Sequence, residues 1–243
     1  QSKEAIESVK TAQDVGLENI SIDLIYGIPG LDNQHWLRNL HTAFSLNVPH
    51  ISSYCLTVER KTALWHGINK GKINALDEHL AATQFELMLD SMADNDFEHY
   101  EISNFAKHQK YAQHNSNYWL QQPYLGLGPS AHSYDGRSRQ WNKNNNGLYI
   151  KALLNHELPP AEREDLSLSQ RYNEFVMLGL RTKWGVSEQK ILEQFGEMFL
   201  QHFNKQIAPF LENKQAELRN GIVTLSKAGK LMADGISAEL FVA

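Results

Sequence analysis

The sequence holds one cysteine, Cys55, in 243 residues. A lone thiol excludes an internal disulfide and suits a reducing compartment. It also excludes any metal cluster held by this chain's own thiolates alone. No apolar run reaches membrane-spanning length, and the first residues do not read as a signal peptide. Both absences lead to the expectation of a cytoplasmic protein without a membrane span. A basic surplus is missing as well: 23 Lys and Arg stand against 28 Asp and Glu, for a net charge of −5. Nothing is therefore left over to neutralise phosphates, which argues against a nucleic-acid partner. No internal repeat or low-complexity tract is seen.

What is present is the composition of a globular chain, 42% hydrophobic and 21% charged, able to bury a sizeable core. The chain starts without methionine on an amphipathic helix, with Ala5, Ile6, Val9 and Ala12 on one face and Gly16 placed to end it. Such a start reads as a cut inside an α/β repeat. Ile20 to Ile25 reads as a strand, ISIDLI, with Asp23 as its odd polar member. A Gly-Ile-Pro-Gly loop follows, then a helix capped by Asp32 or Asn33 and carrying Trp36, Leu37, Leu40 and Phe44. Ile51 to Val58 is a second strand, and the alternation is that of a parallel sheet. Functional groups gather at the carboxyl ends of such strands, here after Tyr26 and Tyr54. Residues 59 to 76 read as a loop with about one helical turn, and Asp77 opens an amphipathic helix through Leu80, Phe85, Met88 and Met92.

The stretch from His99 to Tyr134 is dense in aromatics, histidines and asparagines. Tyr100, Ile102 and Phe105 suggest one short strand, and no long helical run is expected after it. Gly126, Gly128 and Pro129 predict a tight turn that brings backbone close to a ligand. Flat rings among neutral polar groups suit a large planar ligand. Near residue 150 the composition changes, with Pro159 and Pro160 in an acidic, linker-like region. Helices are expected over 166–182, 188–195 and 198–211, the second capped by Ser187, before a strand at 222–225 and a last helical stretch. That order resembles a winged-helix module. Its basic residues Arg219, Lys227 and Lys230 are too few, and too mixed with acidic ones, for nucleic acid.

Five stretches together resemble one family: IDLIYGIPG at 22–30, EHYEISNFA at 98–106, HNSNYW at 114–119, YLGLGPSAHS at 124–133 and EFVMLGLRTKWGV at 174–186. They resemble the oxygen-independent coproporphyrinogen III oxidase-like radical S-adenosylmethionine (SAM) proteins, and within them the HemW branch of haem chaperones. The resemblance implies an α/β fold, the carboxy-terminal part of a partial radical SAM (β/α) barrel over 1–149, followed by a helical, winged-helix-like domain over 150–243. It implies SAM and a [4Fe–4S] cluster in the full-length protein. The cluster motif CxxxCxxC belongs to an amino-terminal half that this sequence lacks, so the fragment alone is expected to be inactive. The resemblance puts Asp23, Cys55 and His132 against SAM, and His114, Asn115, Tyr118 and Trp119 against haem, with His114 ligating the iron.

Each site residue also has a structural reading. Asp23 can bond to neighbouring backbone, Cys55 can be a small buried hydrophobe, and the 114–119 segment can be a packed corner. Tyr100, Glu101 and Asn104 either line the pocket or tie their strand to its neighbour. Arg181 and Lys183 read as a solvated helix face that would also suit porphyrin carboxylates. The expected function is haem binding and delivery to receiving proteins. The alternatives are oxidative decarboxylation of coproporphyrinogen III and a non-catalytic scaffold. Without earlier strands, the edge at Ile20–Ile25 is expected to invite self-association, unless the chain's first residues fold over it.

Overall fold

The structure, a computed structural model, describes residues 2–242. Contacts divide the chain into two compact units, Gln1–Ala112 and Gln113–Ala243.

The first unit runs α1 (Ser2–Asp14), β1 (Ser21–Tyr26), α2 (Asn33–Ser45), β2 (His50–Cys55), α3 (Ala63–Asn69), α4 (Glu78–Asp94), β3 (Glu98–Glu101) and β4 (Asn104–Ala106). Its four strands form one mixed sheet in the order β1-β2-β4-β3. β1 and β2 are parallel from Ser21 opposite His50 to Tyr26 opposite Cys55. β4 pairs antiparallel with both β2 and β3. Alternation decides which face is covered. On β1, Ile22, Leu24 and Tyr26 turn towards the core, while Ser21, Asp23 and Ile25 are exposed. Ile51 and Phe105 extend the inner face, and Trp36, Leu40 and Ala43 of α2 with Phe85, Met88 and Met92 of α4 close over it. Each such large side chain contributes about 1.5–3 kcal/mol on burial. Caps set the helix starts: Asp32 Oδ1 accepts from the His35 N–H at 2.7 Å, and Asp77 Oδ1 from the Leu80 N–H at 2.9 Å.

The second unit runs α5 (Gln113–Trp119), β5 (His132–Tyr134), β6 (Ser138–Asn142), α6 (Asn146–Leu154), β7 (Ala161–Asp165), α7 (Leu168–Leu180), β8 (Val186–Ser187), α8 (Glu188–Phe195), α9 (Glu197–Glu212), β9 (Ala216–Arg219), β10 (Ile222–Leu225), α10 (Lys227–Lys230) and α11 (Ala233–Glu239). It holds two antiparallel sheets, β5-β6-β7 and β8-β10-β9. Tyr172, Val176 and Leu180 of α7, Ile191 of α8, Phe203 and Ile207 of α9, and Val223 of β10 are buried. Ser167 and Gln170 form a reciprocal capping box at the start of α7. The small three-stranded sheet with its helices has the winged-helix order expected from the sequence.

Four local expectations are corrected. The strand through Tyr100, Ile102 and Phe105 is a hairpin, β3 and β4, because Ile102 and Ser103 form its turn and the register slips between His99 and Glu101. The second strand ends at Cys55 rather than Val58. There the Leu56 N–H donates to the Tyr26 carbonyl at 2.9 Å. Residues 63–69 form a full α-helix capped by Thr62. The acidic stretch after Pro160 is β7, which pairs with β6 and carries only exposed side chains. Its polarity reflects a solvated strand and not a linker.

Candidate functional site

In the first unit, Cys55 and the loop after β1 lie at the carboxyl ends of the parallel strands, and Asp23 lies midway along β1. Asp23 is exposed on the open face of the edge strand. Its carboxylate therefore bears no desolvation cost, and the run ISIDLI tolerates it because alternation turns it away from the core. Beyond β1, Gly27 has φ of +70°, and a Cβ there would come within 3.1 Å of Cys55 Sγ and 3.3 Å of Ala81 Cβ. Any side chain at this position would strain the backbone and push the loop off the end of β2. Cys55 is exposed, yet partial burial of its thiol pushes the pKa above the usual thiol value. It therefore stays protonated at neutral pH.

The loop is held by a residue that the sequence reading passed over. Gln84 of α4 is fully buried. Its Oε1 accepts from the Gly27 N–H at 2.8 Å, and its Nε2 donates to the Leu31 carbonyl at 2.7 Å. The Trp36 indole N–H donates to the Gln84 backbone carbonyl at 2.9 Å. A signal was available: Gln84 is the one polar residue on the helical face that runs Ala81, Phe85, Met88, Met92.

Below this end, Tyr100, Glu101 and Asn104 tie strands together. The Tyr100 hydroxyl lies 2.7 Å from His50 Nε2, and His50 Nδ1 lies 2.7 Å from Ser21 Oγ. Glu101 Oε2 accepts from the Ser103 N–H at 3.0 Å and from Asn104 Nδ2 at 2.6 Å.

In the second unit, the segment HNSNYW is helical, and this divides the motif into two pairs. Residues four apart share a helix face, whereas adjacent ones do not. His114 and Tyr118 face solvent, with the imidazole edge-on to the phenol at 5.0 Å. Tyr118 in turn meets Tyr124 edge-on at 4.7 Å. Asn115 and Trp119 are half-buried on the other side. No hydrogen bond joins Asn115 to His114 among the described residues. Trp119 lies under the Arg181 guanidinium at 5.8 Å, and Arg181 is ion-paired to Asp234 at 2.7 Å. The Trp119 indole N–H is buried without a partner among the described residues.

His132 is exposed in β5 and stacks on Trp141 at 5.9 Å. Both line a shallow cavity of about 520 Å³ with Ser130, Asn142, Leu148 and Glu162. The Gly126 turn closes on its own chain, since a Cβ there would sit 2.1 Å from the His132 carbonyl oxygen. Ser130 adopts φ of +61°, a left-handed conformation that glycine would hold at lower cost. Among the described residues no group of three or more His, Cys, Asp or Glu could hold a metal ion. A haem iron needs fewer protein ligands, and an exposed imidazole beside flat rings fits one. For SAM, the exposed Asp23 carboxylate and the glycine loop against Cys55 fit an ammonium or hydroxyl-bearing ligand.

The family model described as the HemN C-terminal domain matches residues 166–232. The heme chaperone HemW of Bacillus subtilis is 31% identical over 96% of this chain and 62% of its own length. HemW of Mycobacterium tuberculosis strain H37Rv is 30% identical over 91% of this chain and 55% of its own. The mitochondrial radical S-adenosyl methionine domain-containing protein 1 of Danio rerio is 28% identical over 76% of the chain and 44% of its own. Among solved structures, coproporphyrinogen III oxidase (HemN) from Escherichia coli, a radical SAM enzyme, superposes with a TM-score of 0.77 at 15% identity. It covers 100% of this chain and 59% of its own. That likeness is one of fold. Taken with the α/β architecture, these matches support a HemN-like radical SAM protein. Within that family, the HemW relatives at about 30% identity support the HemW branch. The family uses SAM and a [4Fe–4S] cluster in its full-length members. The chain spans 62% and 55% of those two HemW relatives. Among the described residues, no helix is long and apolar enough to cross a membrane.

Proposed function

We propose that this chain is the porphyrin-handling part of a cytoplasmic haem chaperone, which binds haem through the α5 segment and passes it to a receiving protein. One observation carries the reading: an exposed imidazole, His114, stands edge-on to Tyr118 at 5.0 Å, and Tyr118 meets Tyr124 at 4.7 Å. A neutral imidazole nitrogen is a good axial ligand, and the phenol rings offer flat apolar surface to a porphyrin. Asn115 and Trp119 support α5 from its inner side. An exposed ligand also suits cargo that has to leave again.

Asp23 and Cys55 are the residues we assign to SAM, which supplies radical chemistry in this family, and His132, the third residue that the resemblance puts against SAM, lies in the second unit. The Asp23 carboxylate would accept hydrogen bonds from the ligand, and Cys55, kept protonated, would contribute contact and backbone groups. We keep the functional boundary near residue 150, with 1–149 as barrel wall and 150–243 as the appended domain. The decarboxylation alternative has only the fold likeness to HemN behind it.

Haem titration followed at the Soret band tests the reading. His114→Ala should weaken haem binding at least about tenfold, the effect of losing ~1.4 kcal/mol of ligation. His132→Ala should leave it unchanged. Equal binding by wild type and His114→Ala would remove His114 from the site.

A further inference from the structure

The carboxyl end of β1 is shaped by a side chain that touches none of the residues assigned to a ligand. Gln84 spans both ends of the five-residue loop Gly27–Leu31: it accepts from the first amide and donates to the last carbonyl. A carboxamide does both at once, whereas an ionised carboxylate accepts but cannot donate and an apolar side chain does neither. Within the loop, the Leu31 N–H closes a turn onto the Ile28 carbonyl at 3.0 Å, with Pro29 and Gly30 at its corner. Gly30 has φ of +86°, as the turn requires. On the other side, the Leu56 N–H bonds the Tyr26 carbonyl, and Cys55 Sγ fills the space where a Gly27 side chain would be. The loop is thus pinned to the end of β2 at its start and to α4 at both its ends. Gln84 is itself locked, because its backbone carbonyl takes the Trp36 indole N–H and the residue is fully buried.

We infer that Gln84 is a positioning residue: its carboxamide sets the Gly27–Leu31 loop in the conformation that receives SAM at the ends of β1 and β2. The inference rests on the SAM reading proposed above. It adds a residue on α4, remote from the motifs, whose work is to order the loop before the ligand arrives. Pre-ordering matters because a loop that must be fixed on binding weakens affinity by its ordering cost.

The test uses Gln84→Glu and Gln84→Leu in the intact protein. Three measurements are needed: SAM affinity by calorimetry from pH 6 to pH 8, amide exchange at Gly27–Leu31, and the thermal midpoint. At pH 8 the glutamate variant keeps an acceptor for the Gly27 N–H but sets a carboxylate against the Leu31 carbonyl. Its affinity should fall about tenfold, and exchange at the Leu31 end should quicken. On acidification the buried carboxyl takes up a proton, donates to Leu31 and restores binding. Gln84→Leu should lose as much with no recovery at any pH, and wild type should vary little. A purely structural role would lower the thermal midpoint without this pH signature. Wild-type affinity in both variants, or equal losses without recovery in the glutamate variant, would overturn the inference. Should Gln84→Leu fail to fold, the pH recovery of Gln84→Glu decides alone. Should wild type not bind SAM, the ligand reading falls. Loop exchange then still scores the clamp: slow in wild type and fast in the variants upholds it, and equal rates refute it.

Discussion

Replacing Tyr100 with phenylalanine should cost far more than the loss of one hydroxyl at a surface. Tyr100 is fully buried, His50 nearly so, and they join in a chain from Ser21 Oγ through both imidazole nitrogens to the Tyr100 hydroxyl, each contact 2.7 Å. The hydroxyl also accepts from the Ala112 N–H at 3.2 Å. Both contacts are satisfied with either imidazole tautomer, the protons running from Tyr100 through His50 to Ser21 or the reverse. Phenylalanine leaves a buried ring nitrogen and a half-buried amide without their partner. At about 1–3 kcal/mol for each unsatisfied group, with the amide at the low end, the loss is ~2 kcal/mol. For a chain of this size that lowers the thermal midpoint by about 4–8 °C.

The same chain makes stability depend on pH. Burial lowers the His50 pKa from 6.5, opposed in part by the charge of Asp23. A depressed value means that the folded state binds fewer protons than the unfolded one. The contribution is therefore fully present above pH 6.5 and is lost as pH falls through the folded value. Urea denaturation by circular dichroism, repeated at pH 7.5 and pH 5.5, measures both effects. A Tyr100→Phe midpoint within ~0.5 kcal/mol of wild type, or wild-type stability rising as pH falls across that window, would refute the reasoning.

Two further outcomes follow from single features. The Tyr172 hydroxyl is buried in the second unit with no hydrogen-bond partner among the described residues, and burial pushes its pKa up. Tyr172→Phe removes that unsatisfied group, so it should leave the thermal midpoint equal or raise it by the equivalent of ~1 kcal/mol, and a clear fall would show a missed partner. β1 is the edge of its sheet and carries exposed Ile25. Light scattering over a concentration series should therefore show self-association of this chain, and a monodisperse monomer with slow exchange at 21–26 would show the edge to be covered.

Period and punctuation were enough to read much of this protein from its sequence. Alternation in ISIDLI, the aspartate caps at 32 and 77, the stripe from Phe85 to Met92 and the order of the last helices and strands are local properties. A residue's neighbours along the chain decide them, so they are legible without coordinates. The HemW-like stretches named the family for the same reason, since they are runs of adjacent letters. Other features needed the tertiary structure. Asp23 looked costly inside an apolar run, and only its place on an open edge strand removes that cost. His114 and Asn115 are adjacent in sequence, yet the helix turns them to different faces. Gly126 proved to serve a contact with its own chain at His132. Gln84 carries no motif, and its role exists only because α4 lays it across both ends of a loop more than 50 residues earlier. Hydrogen bonds between distant segments depend on how elements pack, and packing is decided by the whole core rather than by any window of sequence.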